Sequence, residues 1–279
     1  MIELVQIPML RDNYTYLVHR DGKAIVIDPA QAAPVLRTLE ERNLSLAAVV
    51  CTHHHMDHVG GNVELQRTTG CAVVGPAHDR DRIPGCTMPA IPGTPIQAGP
   101  FSLRVLDVRA HTRGHVAYVL DEPVDLVIRH GHAGVPTEIE RLRRKPALFV
   151  GDALFLAGCG RLFEGTPADL FEVMKTFSRE SDEALVCCAH EYTEANLRFA
   201  LRELPDVIAI NRRLGTLAEE KAESQSSVPD LLGLEMQTNP FLLALQPEVR
   251  SELARKYEIP VSAGETEILG LLRSRKDAG

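Results

Sequence analysis

Short apolar runs alternate with amphipathic stretches through the first two-thirds of the chain. Met1-Ile2-Glu3-Leu4-Val5 enters a strand at once. Residues 14–18 and 24–27 are rich in β-branched and aromatic side chains and flank Asp21-Gly22, a turn pair that closes hairpins, so two paired strands are predicted there. Residues 35–42 have helical spacing, and strands are predicted near Val49, Val73, Leu103, Val116 and Leu148. Thr166-Pro167 opens a helix, with Thr as the cap and Pro at the first helical position. Leu185-Val186-Cys187-Cys188 is the last predicted strand.

After about residue 192 the pattern changes. Residues 195–204, 207–223, 247–257 and 265–275 all have helical spacing, with loops between them. An α/β unit over 1–192 and a small helical domain over 193–279 are therefore expected. Residues 121–145 resist both patterns. His130 and His132 share an i, i+2 spacing without a nearby carboxylate and are read as an exposed loop. The basic run Arg141-Leu142-Arg143-Arg144-Lys145 is read as a solvated helix face.

Composition narrows the classes. The chain has 279 residues, 44% of them hydrophobic, enough for a substantial core, and with no Trp that core must be aliphatic. The formal charge of −8 argues against a nucleic-acid partner. There is no basic stretch leading into a long apolar one at the N-terminus and no run of about 18 apolar residues, so neither a signal peptide nor a membrane partner is expected. The six cysteines lack zinc-ribbon spacing and several lie in apolar strand contexts, which fits a reduced, cytoplasmic protein. Cys187 and Cys188 are read as buried small hydrophobes rather than a redox pair.

The chemistry is concentrated in Thr52-His53-His54-His55-Met56-Asp57-His58, which follows the apolar run 46–51. Residues i and i+2 share a face of an extended chain, so His53 and His55 can reach one metal ion together. Asp57 and His58 can turn toward a second ion beside the first, while His54 points the other way and is structural or solvent-facing. Imidazole and carboxylate donors suit zinc, iron or manganese. Three further positions put a ligand type at a strand end: His111 in Ala110-His111-Thr112-Arg113-Gly114-His115, Asp152 in Val150-Gly151-Asp152-Ala153, and His190 in Ala189-His190-Glu191-Tyr192.

The set H-x-H-x-D-H, H-T-x-G-H, G-D-x-L-F, G-C-G-R-x-F-E-G and H-E-Y-T resembles the glyoxalase II branch, the hydroxyacylglutathione hydrolases, of the metallo-β-lactamase superfamily. The likeness runs from Asp12-Asn13-Tyr14 to Asn239-Pro240-Phe241. The first motif marks only the superfamily; residues 158–166 together with 190–193 are specific to the branch. The resemblance implies a metallo-β-lactamase αβ/βα sandwich with a C-terminal helical, substrate-binding domain. It implies two divalent metals, zinc first, with iron or manganese as other candidates. His53, His55 and His111 would hold one, Asp57, His58 and His190 the other, and Asp152 would bridge them. Asp57 and Asp152 would be catalytic, and His115 would stand behind the ligands.

The implied activity is hydrolysis of a 2-hydroxyacyl glutathione thioester, S-D-lactoylglutathione, to glutathione and D-lactate by a hydroxide held between the metals. This reaction detoxifies methylglyoxal. A monomer is expected. Arg161, Phe163, Tyr192 and Asn196 map onto glutathione-binding positions. Phe163 lacks the hydroxyl of the usual Tyr, and Leu243 stands where a basic residue for the glycyl carboxylate is usual. Weaker dependence on the glycyl carboxylate is then expected, with another basic residue (Arg250 or one of 141–145 as the next candidates) or a different acyl carrier as the alternatives. Ala153, where Thr is usual, leaves two alternatives: a mononuclear-iron persulfide dioxygenase, or another metallo-hydrolase of the superfamily.

Overall fold

The computed structural model describes residues 1–132, 135–224, 226–260 and 264–279; of 130–141, 220, 223 and 224 it describes the backbone alone. The chain opens with three antiparallel-linked strands, β1 (Glu3–Met9), β2 (Asn13–Arg20) and β3 (Lys23–Ile27). Asp21 and Gly22, both at positive φ, make the predicted hairpin turn. Helix α1 (Ala32–Glu41) carries the chain to β4 (Ser45–Val50). The short α2 (Met56–Val59) and α3 (Asn62–Thr69) lead to β5 (Ala72–Pro76). β3, β4 and β5 pair in parallel. A 3-10 turn (Ala77–Arg82) then precedes β6 (Met88–Ala90), β7 (Ile96–Ala98) and β8 (Phe101–Asp107).

Two long strands follow, β9 (Val116–His132) and β10 (Val135–Gly151). The chain continues through α4 (Pro167–Phe177), β11 (Leu185–Cys188), α5 (Thr193–Glu203), α6 (Ile208–Ser224) and β12 (Asp230–Leu231). It finishes with α7 (Leu232–Thr238), α8 (Pro240–Leu243), α9 (Pro247–Lys256) and α10 (Glu265–Asp277). The strand order is β12-β11-β10-β9-β1-β2-β3-β4-β5-β6, with β8 also pairing β9 and β7 pairing β8.

Strand alternation sorts the buried side chains onto two faces. Val5, Leu17, Val26 and Val49 pack under α1 and α3 with Val35, Leu39 and Leu65. Their neighbours Leu4, Tyr16, Val18, Ile25 and Val50 join a larger core that includes Leu103, Tyr118, Phe149 and residues of the C-terminal helices. β9 serves both halves. Its first part pairs with β8 and β10, while Asp125–Ile128 lie in parallel register with Glu3–Gln6 of β1. This is the mixed, layered sheet expected of the fold class.

The segment 121–145 is corrected. Among its described residues the backbone is strand, not loop and helix: Thr137 pairs with His130 and Val135 with His132, and Lys145 lies opposite Val124 across a bulge. Alternating Val124, Leu126 and Ile128 carried the strand signal, and the charges masked it. The exposure of the His130, His132 and Arg141 side chains lies outside the described residues. Thr166 caps α4 as predicted, in a reciprocal capping box with Asp169. Cys187 and Cys188 are buried and free.

Candidate metal centre and substrate cavity

Each proposed ligand sits where a strand ends. His53 and His55 follow β4, Asp57 and His58 form the first turn of α2, and His111 lies in the loop after β8. Asp152 follows β10 and His190 follows β11. The sheet brings these ends together. Tyr14 N–H bonds Ala189 O at 2.7 Å, and the Asn13 amide donates to Asp57 Oδ2 at 3.0 Å, tying the N-terminal strands to the site.

The seven side chains converge. His55 Nδ1 is 3.0 Å from both His53 Nε2 and His111 Nε2. His190 Nε2 is 3.5 Å from Asp57 Oδ2, and His58 Nε2 is 3.8 Å from the same oxygen. Asp152 faces both groups: Oδ1 is 3.3 Å from His58 Nε2 and 3.4 Å from His190 Nε2, and Oδ2 is 3.6 Å from His111 Nε2. His53-His55-His111 and Asp57-His58-His190 each place one donor atom per residue within 4.8 Å of the others.

Electrostatics differ between the two groups. Burial holds His53, His55 and His111 below the ordinary histidine range, so their nitrogens keep the lone pairs a metal needs. Burial also opposes charge on His58 and His190, but the carboxylates outweigh it: Asp152 and Asp28 push His58 up, and Asp152, Asp57 and Asp12 push His190 to about 10. That corner calls for positive charge. His58 Nε2 and Asp152 Oδ1 are also buried without a hydrogen-bond partner. Orphaned donor atoms, imidazole nitrogens and carboxylate oxygens together fit a divalent cation.

A second layer orients the ligands. His58 Nδ1 meets Asp28 Oδ2 at 3.0 Å, His190 Nδ1 meets Asp12 Oδ1 at 3.0 Å, and His111 Nδ1 donates to Arg161 O at 2.9 Å. Asp28 is itself fixed by the Thr52 amide at 2.7 Å and the Thr52 hydroxyl at 2.6 Å. His115 is fully buried, stacks on His53, and accepts from the Asp152 amide at 3.2 Å. His54 is turned away, 3.4 Å from buried Asp79 and in contact with Arg82. Gly160 is required by space: a Cβ there would lie 2.0 Å from Asp152 O.

A cavity of about 510 Å³ opens beside His111 and Asp152. Arg161, Phe163, Tyr192 and Asn196 line it, as do Arg273 and Lys276 from α10. The Phe163 ring meets His55 and His111 edge-on, and Tyr192 stacks flat on His190 with centroids 4.9 Å apart. Arg161 is mostly exposed, 3.4 Å from Asp277. Asn196 is buried, and its amide donates to Leu156 O at 2.9 Å.

Neither position 243 nor Arg250 brings a base to the cavity. Leu243 is a buried core residue that does not line the cavity. Arg250 donates to Leu245 O at 2.6 Å and pairs with Glu265. The cavity's further cations are Arg273 and Lys276, which the sequence reading passed over. The R-S-R-K run looks like ordinary helix-terminal charge, and nothing local brings it beside Arg161.

Comparison with known proteins agrees with this geometry. Residues 9–190 match the model of the metallo-beta-lactamase superfamily, and residues 191–279 that of the hydroxyacylglutathione hydrolase C-terminus. A hydroxyacylglutathione hydrolase of Methylococcus capsulatus is 41% identical over 279 residues, covering 99% of this chain and 98% of its own. One from a Synechococcus strain is 40% identical over 272 residues, covering 97% and 95%. Among solved structures, ETHE1 from Myxococcus xanthus superposes with a TM-score of 0.61 at 20% identity, covering 99% of both chains. TTHA1623 in a di-iron-bound form gives 0.53 at 21% identity, covering 85% of this chain and 98% of that one. At such identities these two speak for the fold alone.

Proposed function

Because this chain belongs to the hydroxyacylglutathione hydrolase family of the metallo-β-lactamase superfamily, we propose that it hydrolyses S-D-lactoylglutathione and related 2-hydroxyacyl glutathione thioesters to glutathione and the free hydroxy acid. One observation carries this: a carboxylate, Asp152, stands between two imidazole-rich groups on the wall of a cavity lined by Arg161, Arg273 and Lys276. His53, His55 and His111 would hold one divalent ion, Asp57, His58 and His190 a second, and Asp152 would touch both. Zinc suits these donors, as do iron and manganese. When bound, the metals supply a water of lowered pKa and a Lewis acid for the thioester carbonyl.

The chain's own groups do the rest. Asp12, Asp28 and the Arg161 carbonyl fix which imidazole nitrogen faces inward. Arg161, Arg273 and Lys276 offer positive charge to the carboxylates of glutathione. Phe163 and Tyr192 set aromatic faces against His111 and His190 at the reacting end. The departing glutathione thiolate has a conjugate acid near pKa ~8.5, so it leaves without a strong general acid. Residues 1–192 would form the catalytic domain and 193–279 the domain that holds the substrate. The protein would act as a cytoplasmic monomer, in keeping with six free cysteines and with no described helix long and apolar enough to cross a membrane.

A mononuclear-iron dioxygenase would need only one group of ligands and leave the other without a task. The deciding experiment is metal analysis of purified protein together with hydrolysis of S-D-lactoylglutathione followed by thiol release. Two ions per chain and metal-dependent thiol release are expected. One ion, no thiol release and oxygen consumption with glutathione persulfide would replace this function with the dioxygenase.

A further inference from the structure

The loop that follows Asp152 leaves the sheet and is held by the C-terminal helices. Within itself it makes one bridge, Phe155 to Gly158, with both bonds at 3.0 Å. Between Phe155 and Cys159, its carbonyls and the Ala157 amide also meet side chains from later in the chain. The Asn239 amide donates to Phe155 O at 3.2 Å and to Gly158 O at 2.9 Å. Asn196 donates to Leu156 O at 2.9 Å, and Arg273 to Cys159 O at 2.8 Å. The Ala157 amide donates to Glu235 Oε2 at 2.7 Å. Ala157 itself sits at φ +55, an unfavourable conformation for a residue with a Cβ, so the loop needs outside bonds to keep its shape.

We propose that Asn239 and Glu235 are positioning residues of the metal centre, holding the Asp152–Arg161 loop in the shape that presents its ligands. This rests on Asp152 being a metal ligand, as proposed above. The loop carries Asp152 at its start and, at its end, the Arg161 carbonyl that orients His111. Asn239 and Glu235 are both fully buried and are absent from the cavity wall, so substrate contact is not their task. Glu235 is held in turn by Arg213 Nη1 at 2.5 Å, which also donates to Thr238 at 2.6 Å. The Asn239 amide gives its third contact to Glu235 Oε2 at 3.0 Å. No water can replace these bonds without opening the core, so losing one loosens the loop rather than resolvating it.

The test uses the full chain and zinc ion as the probe. Zinc affinity is read by chelator competition, loop opening by amide hydrogen exchange over 155–159 in metal-depleted protein, and turnover on S-D-lactoylglutathione. Asn239→Ala should weaken zinc binding at least about tenfold, speed exchange at Ala157 and Gly158, and lower kcat with KM within about twofold. Glu235→Gln keeps an oxygen for the Ala157 amide and should lose only about threefold in affinity, a partial rescue. Glu203→Gln loosens the neighbouring helices α5, α9 and α10 without touching the loop and should leave zinc affinity unchanged.

A folded Asn239→Ala protein with wild-type zinc affinity, or one that changes KM alone, overturns the proposal. So does an equal loss in Glu203→Gln, since general loosening would then suffice. Should Asn239→Ala not fold, unchanged zinc affinity and exchange in Glu235→Gln overturns it by itself. A wild-type chain without zinc affinity would overturn the metal-centre reading and this inference together.

Discussion

In the proposed metal centre Asp152 would be the residue shared by both groups, because its oxygens face different partners at 3.3 Å and 3.6 Å. Asp152→Ala should lose bound metal and cut thioester turnover by more than about a hundredfold, since even outer partners of metal ligands are worth about 10–100-fold. Circular dichroism should be unchanged, because the loop keeps its own bonds. Normal turnover with two bound ions in that variant would contradict the assignment. Asp28→Asn tests the layer behind. It leaves the Thr52 contacts room to form but weakens the hold on His58 Nδ1, and metal affinity should fall within the same 10–100-fold range, read by competition with a chelator. Leu243→Arg has a different outcome from a substrate contact. A guanidinium placed in this buried site has no partner and should cost about 3–5 kcal/mol in a denaturant titration, with no gain in KM.

Among the elements, α10 does two jobs. One face sends Arg273 and Lys276 to the cavity; the other is tied down through Glu203. Lys276→Met should raise KM for S-D-lactoylglutathione more than it lowers kcat, because this side chain would meet the carrier and not the thioester. An unchanged KM in that variant would move the carboxylate site elsewhere. Glu203 on α5 is fully buried and collects Arg202, Lys256 and Arg275, with the Tyr257 hydroxyl donating at 3.2 Å. Burial raises its pKa, but these cations outweigh burial and hold the carboxyl below its ordinary range. A depressed native pKa means stability that is full above the unfolded value near pH ~4.3 and is lost as pH falls through the native one. Acid titrations of the wild type should show that loss, and Glu203→Gln should flatten it.

At the scale of the whole molecule, the ligands were legible because each lies in a local pattern, a strand end followed by His or Asp. Asp12 and Asp28 were not singled out, since an acid after a strand has no special look until a histidine from 30 or 178 positions away comes to meet it. Arg273 and Lys276 failed for the same reason. Elements with clean periodicity, such as β2, β3 and α10, were predicted close to their bounds, and α4 at its start; β9 and β10 were not, because charged residues interspersed along them broke the apolar run. β9 has a further consequence. Its parallel pairing with β1 sets Glu3 against Asp125, so during synthesis β1 waits for more than a hundred residues before that edge is covered. Such distant pairing is slow to close and leaves an open template meanwhile. Nascent chains arrested shortly before β9 emerges should aggregate or recruit chaperones, and chains arrested just past β10 should not.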